Sequence, residues 1–376
     1  MSAMPSSVPA GPELTGEDPF AGTAYRSVRR LAAGGMGEVF VVSHRELGRE
    51  FVAKLLHLRY AKDERLIDRV RIEAQTLGRL DHPNIVSVSG FGTAKDGRPF
   101  IVMELLYGRT LGAELEARGK LPLPEALHYV RELLAALGAA HALGIVHRDI
   151  KPENLFLAER PDGTRTLKVL DFGIVRVLPG FDGSPQPLAL PTATGLVVGT
   201  PRYVSPEGAL GAKVDHRADL YAAGLVLYVS VAGRGPFDHL RKEGELLNAH
   251  ASTRPAAPST VAGLALPQAL DLAVLHSLEK RPEGRFQSAE EFMTALDQIG
   301  AALRTGEPLA FVEPDPYPAP DSLTVAPAID PSTSGLRRVP QPPNQKRFLL
   351  LFVLIAAVTS VIVSQVVRAI LVWSAR

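Results

Sequence analysis

Nine consecutive residues, His147 to Leu155 with the sequence HRDIKPENL, carry several side chains suited to chemistry on a phosphate. About one hairpin later comes a further carboxylate, in Asp171-Phe172-Gly173. Phosphoryl transfer needs an in-line hydroxyl and compensation for charge on the phosphate oxygens, and two carboxylates, an amide and lysines suit both needs. The alternative is that Asp149, Asn154 and Asp171 are turn formers that hydrogen-bond their own backbone.

The composition limits the classes of function that remain open. The chain has 376 residues, a formal net charge of +1 and no cysteine. That length can hold two lobes plus tails, with ample apolar content for a core. The near-zero charge gives no electrostatic footprint for nucleic acid, so we expect no nucleic-acid partner. The absence of cysteine excludes disulfides, thiolate metal sites and a catalytic thiol.

The elements that would position these side chains begin near Tyr25. Residues 1–24, rich in Pro, Ser, Gly and Ala, are predicted to be a disordered lead-in. From Tyr25 to His57, short apolar runs alternate around glycines, which predicts an antiparallel hairpin followed by a third strand. The first turn, LAAGGMGEVF over 31–40, is either an ordinary hairpin turn or a loop whose backbone N–H groups approach phosphate.

A lone cation and a lone anion occupy otherwise apolar elements of this region. Lys54 lies within the apolar strand that begins at Phe51, and a buried ammonium needs an anionic partner. The pattern from Asp63 to Leu80 predicts a helix, on which Glu73 is the natural partner for Lys54. Both residues could instead be solvated at the ends of their elements.

Two more strands complete the first lobe, and the rest of the domain should be mainly helical. Strands are predicted over Ile85–Phe91 and Arg98–Leu105, joined by a turn, which makes a five-stranded lobe with one helix. The second lobe has predicted helices over Pro124–Leu143, Asp215–Val231, Ala269–Leu278 and Ala289–Ile299.

Taken in this order, the motifs resemble those of bacterial eukaryotic-type (Hanks-type) serine/threonine protein kinases, over roughly Tyr25 to Ile299. The resemblance implies an α+β, two-lobed protein-kinase-like fold over 25–300, with an antiparallel sheet and one helix in the N-lobe and a mostly helical C-lobe. It also implies ATP as phosphate donor, Mg²⁺ (or Mn²⁺) as metal, and Ser/Thr residues of proteins as acceptors.

The resemblance assigns roles in the central stretch. Asp149 would be the catalytic base that accepts the substrate hydroxyl proton, and Asn154 and Asp171 would be magnesium ligands. Lys151 would touch the transferred phosphate, and its position implies a Ser/Thr acceptor. His147 would be structural rather than a second base.

The resemblance also outlines a nucleotide site, with two departures from the family pattern. The first loop glycine is replaced by Ala32, whose methyl group would stiffen the loop or hinder phosphate, and Val52 stands where alanine usually lies over adenine. Met103 would be the gatekeeper, and Glu104-Leu105-Leu106 the hinge. The full nucleotide-binding set is Ala32, Ala33, Gly34, Gly35, Met36, Gly37, Val39, Val52, Lys54, Glu73, Met103, Glu104 and Leu106.

Beyond Asp171, the resemblance implies an activation segment that ends in TPRYVSPE, Thr200 to Glu207. Thr200 would contact the catalytic base and its neighbouring lysine. Thr192 and Thr194 occupy positions where related bacterial kinases autophosphorylate, and Arg148 would pair with such a phosphate. We expect phosphorylation to switch the enzyme on, although both threonines could be ordinary polar loop residues.

Three further residues would be scaffold rather than chemistry. Asp219, a lone acid in an apolar helix, resembles the aspartate that holds the backbone of the catalytic loop. Arg285 matches the arginine that pairs with Glu207.

The C-terminal part of the chain has the composition of a membrane anchor. Residues 301–347 form a proline-rich juxtamembrane linker, and 348–367 are almost continuously apolar over the about 20 residues that a spanning helix requires. A buried core helix is the alternative. Basic residues before the span predict a cytoplasmic kinase domain, with 368–376 as a short extracytoplasmic tail. The expected location is therefore the cell (inner) membrane, in a single pass through the lipid bilayer.

The expected function is a membrane-anchored Ser/Thr protein kinase that uses Mg-ATP, and a homodimer would allow trans-autophosphorylation. Two alternatives come from other classes. A pseudokinase scaffold is suggested by Ala32 and Val52. The complete set of catalytic residues opposes it, namely Lys54, Glu73, Asp149, Asn154 and Asp171. A small-molecule kinase of related fold would lack the peptide-docking segment that ends at Glu207.

Overall fold

The computed structural model describes residues 17–34, 37–58, 64–172, 201–263 and 266–306 of the chain. All of them belong to one compact unit, Met1–Asp315. The predicted membrane span over 348–367 lies outside the described residues, and so do the rest of the linker and the tail. Among the helices of the described ranges, none combines the length and the hydropathy of a membrane-spanning segment.

The N-lobe is a five-stranded antiparallel sheet with one helix packed against it. Its strands are β1 (Tyr25–Gly34), β2 (Gly37–His44), β3 (Glu50–Leu56), β4 (Val88–Thr93) and β5 (Pro99–Glu104), in the order β1-β2-β3-β5-β4. Helix α1 (Glu64–Leu77) packs on β4 and β5. The predicted five-stranded lobe with one helix is confirmed. Strand β4 begins at Val88 rather than Ile85, because Ile85 bridges to Val169 in the other lobe.

The residues just before β1 correct the predicted extent of the lead-in. Phe20 is fully buried, and its ring meets the rings of Phe40 and Phe100 edge to face, at centroid distances of 5.5 and 5.1 Å. Asp18 accepts a 2.8 Å hydrogen bond from the Ser27 hydroxyl. The expectation of disorder up to residue 24 is therefore wrong for residues 17–24. A buried aromatic ring and a hydrogen-bonded carboxylate together hold this short run against the sheet.

The C-lobe combines a small sheet with a helical core. Its strands are β6 (Gly108–Thr110), β7 (Leu155–Glu159) and β8 (Arg165–Val169). Its helices are α2 (Leu111–Arg118), α3 (Leu123–Ala142), α4 (Pro206–Ala209), α5 (Arg217–Ala232), α6 (Glu243–Ser252), α7 (Pro258–Ala262), α8 (Gln268–Ser277) and α9 (Ala289–Thr305).

Helices α3 and α5 form the centre of this lobe. Nearly every residue of α5 is buried, which explains its almost continuous apolar sequence. Helix α3 ends at Ala142, and Gly144 takes a positive φ of 71° just beyond it, as the glycine there predicts. Helix α9 continues to Thr305, so the folded domain extends past the predicted boundary at residue 300.

Candidate active site

The loop between α3 and β7 brings three of the predicted catalytic side chains together. Lys151 Nζ lies 2.9 and 2.8 Å from the two carboxylate oxygens of Asp149. Asn154 Nδ2 donates to Asp149 Oδ2 at 2.9 Å and to its carbonyl oxygen at 2.8 Å. The short 3₁₀ turn Pro152–Asn154 folds the amide back onto the aspartate. The carboxylate is thus held by a cation on one side and an amide on the other.

The backbone of this loop is strained, and α5 holds it in place. Arg148 has φ of 67°, a left-handed conformation that is costly for a residue with a Cβ. Asp219 of α5, only 1% exposed, accepts hydrogen bonds from the N–H groups of His147 and Arg148, both at 2.8 Å. His141 Nε2 lies 2.9 Å from the same carboxylate. The lone acid in the apolar helix therefore has a structural partner, namely the loop backbone.

His147 links the catalytic loop to the segment that follows β8. Its ring is buried, lies 2.9 Å from the carbonyl oxygen of Leu170, and packs on Phe172 at 4.6 Å between centroids. The Leu170 N–H donates to the carbonyl oxygen of Asn154 at 2.9 Å. These contacts suit a structural histidine and fix the position of Asp171 relative to the loop.

Asp171 reaches across to the N-lobe. It has φ of 56°, and its Oδ2 lies 2.8 Å from Nζ of Lys54 on β3. Lys54 is buried, so its charge has the anionic partner that burial demands. That partner is Asp171 in the described structure. Glu73, the partner expected from the sequence, lies on α1, but its side chain is outside the described residues.

Apolar side chains from both lobes meet next to this ion pair. Val52 of β3 stands opposite Met103 of β5 in the sheet register. Both belong to a single apolar cluster with Leu106 of the hinge and Leu170 of the C-lobe. An apolar slot with a few polar groups at one end suits a flat, uncharged ring system joined to a charged group.

Strands β1 and β2 pair up to both sides of the turn that joins them. Gly34 pairs with Gly37, and Ala32 stands opposite Val39, directly after a register shift between Arg30 and Ala32. Gly37 has φ of 154°, and a Cβ there would lie 2.0 Å from the carbonyl oxygen of Leu55. Only glycine fits at that position. Gly35 and Met36 lie outside the described residues, while Ala33 continues the strand.

A contact between the hinge and the C-lobe was missed by sequence reasoning. Glu104 Oε1 lies 2.7 Å from Nζ of Lys168 on β8 and accepts a 2.8 Å hydrogen bond from the N–H of Ser87. Lys168 also donates to the carbonyl oxygen of Ile85, at 3.3 Å. The alternation of β8 places Lys168 on the face opposite Leu167 and Val169, but nothing in the sequence indicates its partner.

The polar groups of Asn154, Asp171 and Lys54 fit Mg²⁺ and a nucleoside triphosphate. The Asn154 amide nitrogen donates to Asp149. The Asn154 amide oxygen has no hydrogen bond within the described ranges, and it can serve as an oxygen ligand alongside the Asp171 carboxylate. Mg²⁺ prefers oxygen ligands and is commonly bound by one or two protein groups plus substrate phosphates. The Lys54 ammonium beside Asp171 supplies a cation for the phosphate oxygens.

Beyond the site, a buried ion pair fixes the end of the predicted activation segment. Arg285 is 2% exposed and donates two hydrogen bonds to the Glu207 carboxylate, at 2.9 and 2.7 Å. Such bidentate pairing is specific in geometry as well as strong. Gly173, Thr192, Thr194 and Thr200 lie outside the described residues, so their predicted roles stay predictions.

Comparison with known proteins agrees with this geometry. The family model described as "Protein kinase domain" matches residues 25–292. Serine/threonine-protein kinase Pkn1 of Myxococcus xanthus is 37% identical over 323 residues, which is 83% of this chain and 45% of that protein. PknA of Mycobacterium tuberculosis is 35% identical over 317 residues, 83% of this chain and 68% of that one.

A solved structure gives the same result for the fold. The crystal structure of the M. tuberculosis PknI kinase domain is 28% identical, with a TM-score of 0.57, and the match covers 78% of this chain and 100% of that one. The chain spans about half the length of Pkn1 and of pkn3, another M. xanthus relative. It belongs to the protein kinase domain family and, within it, to the bacterial Hanks-type serine/threonine kinases.

Proposed function

We propose that this protein transfers the terminal phosphoryl group of Mg-ATP to serine or threonine hydroxyls of proteins. The observation that carries the proposal is the joint placement of Asp149, Lys151 and Asn154 in one hydrogen-bonded group, with the Lys54–Asp171 pair across the lobes. Relatives named as serine/threonine-protein kinases support the acceptor class.

The chain's own residues would divide the work as follows. Asp149 accepts the proton of the acceptor hydroxyl, and its contacts with Lys151 and Asn154 hold the carboxylate in one orientation. Lys54 binds phosphate oxygens from the N-lobe side. Asn154 and Asp171 would hold Mg²⁺, for which Mn²⁺ could substitute. When bound, Mg-ATP supplies the phosphoryl group and the metal neutralises its charge.

Substitution of the base tests the proposal directly. Asp149→Asn should lower kcat for phosphate transfer to a generic basic protein by about 10²–10⁴-fold, because the amide cannot accept the proton. The matched control is Asp162→Asn, which changes an exposed turn aspartate between β7 and β8. Transfer is measured with radiolabelled ATP. Equal activity in the two variants would contradict the assignment, and nucleotide binding without transfer in the unmodified chain would favour the pseudokinase scaffold.

Activation by phosphorylation of Thr192 and Thr194 is the second part of the proposal. Their positions in the sequence and the presence of Arg148 in the catalytic loop support it. Mass spectrometry should find phosphate on this segment in the active chain and not in Asp149→Asn chains made alone. Phosphate on Asp149→Asn chains after mixing with active chains would show a trans reaction between two copies. If the active chain carries no phosphate on this segment, the activation mechanism is refuted.

Membrane anchoring through residues 348–367 is the third part. The length of the apolar run and the basic residues before it support a single pass with the kinase domain in the cytoplasm, at the cell (inner) membrane. The chain should remain in the membrane fraction after a carbonate wash, and release of the intact chain would refute the span. Because the chain has no cysteine, orientation can be read from single substitutions. An impermeant maleimide should label Ser374→Cys in intact cells and Leu47→Cys only after lysis.

A further inference from the structure

Helices α3 and α9 pack antiparallel, which determines where α9 ends. Arg131 Nε lies 2.6 Å from Asp297 Oδ1, and a Cβ placed on Gly138 would lie 3.5 Å from Cβ of Ala289. From the first contact to the second, the residue number rises in α3, from 131 to 138, and falls in α9, from 297 to 289. Because the helices are antiparallel, the C-terminal end of α9 points toward the end of the lobe at which α3 begins, with Leu123. The chain therefore leaves its last described helix on the side of the lobe where α3 begins.

An open cavity lies at the start of α3. It has a volume of about 550 Å³, within the range of pockets that take small ligands or side chains. Five apolar residues line it, namely Leu121, Pro122, Leu123, Val231 and Leu266. Its wall is built where the end of α5 meets the turn before α3, since the Leu121 N–H donates to the carbonyl oxygen of Ser230 at 2.8 Å.

The rim of the cavity is basic. Arg118 and Lys120 line it, and no acidic residue does so among the described residues. The charge of Arg118 is already matched by Glu114 and Glu125. Lys120 is exposed and has no ion-pair partner in the described part of the chain. Arg234 is a further exposed cation near Lys120. Its position follows from Gly233, the residue before it, which packs against Gly119 and Lys120.

The apolar stripe of α9 runs out toward this end. Phe292, Leu296 and Ile299 are buried against the lobe, and Leu303 lies one turn further along the same stripe. Leu303 is 43% exposed, so its apolar surface is uncovered beside the exit of the chain. Gly306 then ends the helix with φ of 73°, in the left-handed conformation that commonly caps a helix.

The sequence that follows at once, Glu307 to Asp315, is complementary to this surface. It reads EPLAFVEPD, with apolar side chains at 309, 311 and 312 and acids at 307, 313 and 315. We propose that this segment docks in the cavity at the start of α3, with Phe311 and Leu309 on its apolar wall and the acids against the basic rim. Phe311 is five residues beyond Gly306, and five extended residues can span about 17 Å from the end of α9.

Thiol reactivity tests the docking in the full chain, which has no cysteine of its own. The thiol of Leu123→Cys should be shielded by the docked segment and react slowly with a maleimide. Adding Phe311→Asp, which would place a charge on an apolar wall, should speed that reaction by about tenfold or more. The matched control is Leu143→Cys, an exposed leucine just past the other end of α3. Its rate should not respond to Phe311→Asp.

Each outcome of this experiment decides the proposal. A slow rate that Phe311→Asp relieves, at any protein concentration, supports docking of the chain's own segment. Equal rates with and without Phe311→Asp would overturn it. Shielding that grows with protein concentration would also overturn it, since a second copy would then fill the cavity. Lys120→Glu should speed labelling in the same direction as Phe311→Asp, and slower labelling would contradict the charge complementarity. None of these readouts depends on kinase activity.

Discussion

Asp219 shows how one side chain can determine the conformation of a reactive loop. It lies on a helix that is buried on nearly all sides. Its carboxylate accepts hydrogen bonds from two successive backbone N–H groups and contacts the His141 ring. Those hydrogen bonds offset the cost of the left-handed Arg148. The negative charge of the carboxylate strengthens these contacts, because all three are made with nitrogen atoms.

Asp219→Asn should therefore impair the loop without removing any group that meets substrate. One oxygen becomes an NH₂ group facing donors, and a lost hydrogen bond to a charged group costs about 1.5–3 kcal/mol. We expect kcat to fall by about tenfold to a hundredfold, while the affinity for ATP changes little. Steady-state kinetics and nucleotide titration would show this separation. Asp297→Asn, on the exposed side of α9, is the control and should leave kcat unchanged. A matching loss of ATP affinity would contradict a local effect.

At the scale of elements, the two lobes are joined by more than the covalent hinge. Strand β8 of the C-lobe pairs through Val169 with the segment that precedes β4. On the same strand, Lys168 binds the carboxylate of Glu104, at the end of β5. The hinge is thus tied to the C-lobe at the edge of the apolar slot that contains Met103.

Lys168→Met should loosen this tie and weaken nucleotide binding. The ion pair is partly buried, so its loss should cost on the order of 1 kcal/mol and raise KM for ATP about fivefold, with a smaller effect on kcat. Nucleotide affinity measured by calorimetry provides a second readout. Lys213→Met changes an exposed lysine before α5 and serves as the control. An unchanged KM would show that the ion pair does not position the hinge.

Across the whole molecule, one buried histidine should make stability sensitive to acid. His250 of α6 is 1% exposed, and its Nδ1 lies 3.0 Å from the hydroxyl of Tyr221 on α5. Burial, and then the nearby Lys280 ammonium, lowers the pKa of His250 to about 4. The unfolded chain, with an ordinary histidine pKa of about 6.5, binds more protons between those two values. Stability must therefore fall as the pH falls through that interval.

The expected loss from His250 alone is about 2 kcal/mol between pH 7.5 and pH 5. Urea unfolding at the two pH values would measure it, as the part of the decrease that disappears in His250→Gln. The control is His239→Gln, because His239 is exposed and should keep the full pH dependence. If His250→Gln and the unmodified chain lose the same free energy of unfolding, His250 is not the acid-sensitive group.

Much of the fold and site follows from short-range patterns in the sequence. Asp149, Lys151 and Asn154 lie within six residues, so a single tight turn brings them together, and their spacing predicts that turn. Apolar periodicity similarly predicts α3, α5 and the five-stranded lobe, because 3.6- and 2-residue repeats reflect which face is buried. Phe20 was missed because one aromatic residue in a Pro- and Gly-rich run produces no repeat.

The sequence by itself determined the kind of chemistry and the elements that carry it. Only the tertiary structure decided which distant groups meet: Lys54 with Asp171, Glu104 with Lys168, and Arg131 of α3 with Asp297 of α9. The physical reason is that a charged residue in an apolar stretch of sequence indicates only that a partner of opposite charge is needed. Which partner is near depends on how whole elements pack, and packing is a property of the summed apolar surfaces rather than of any local motif.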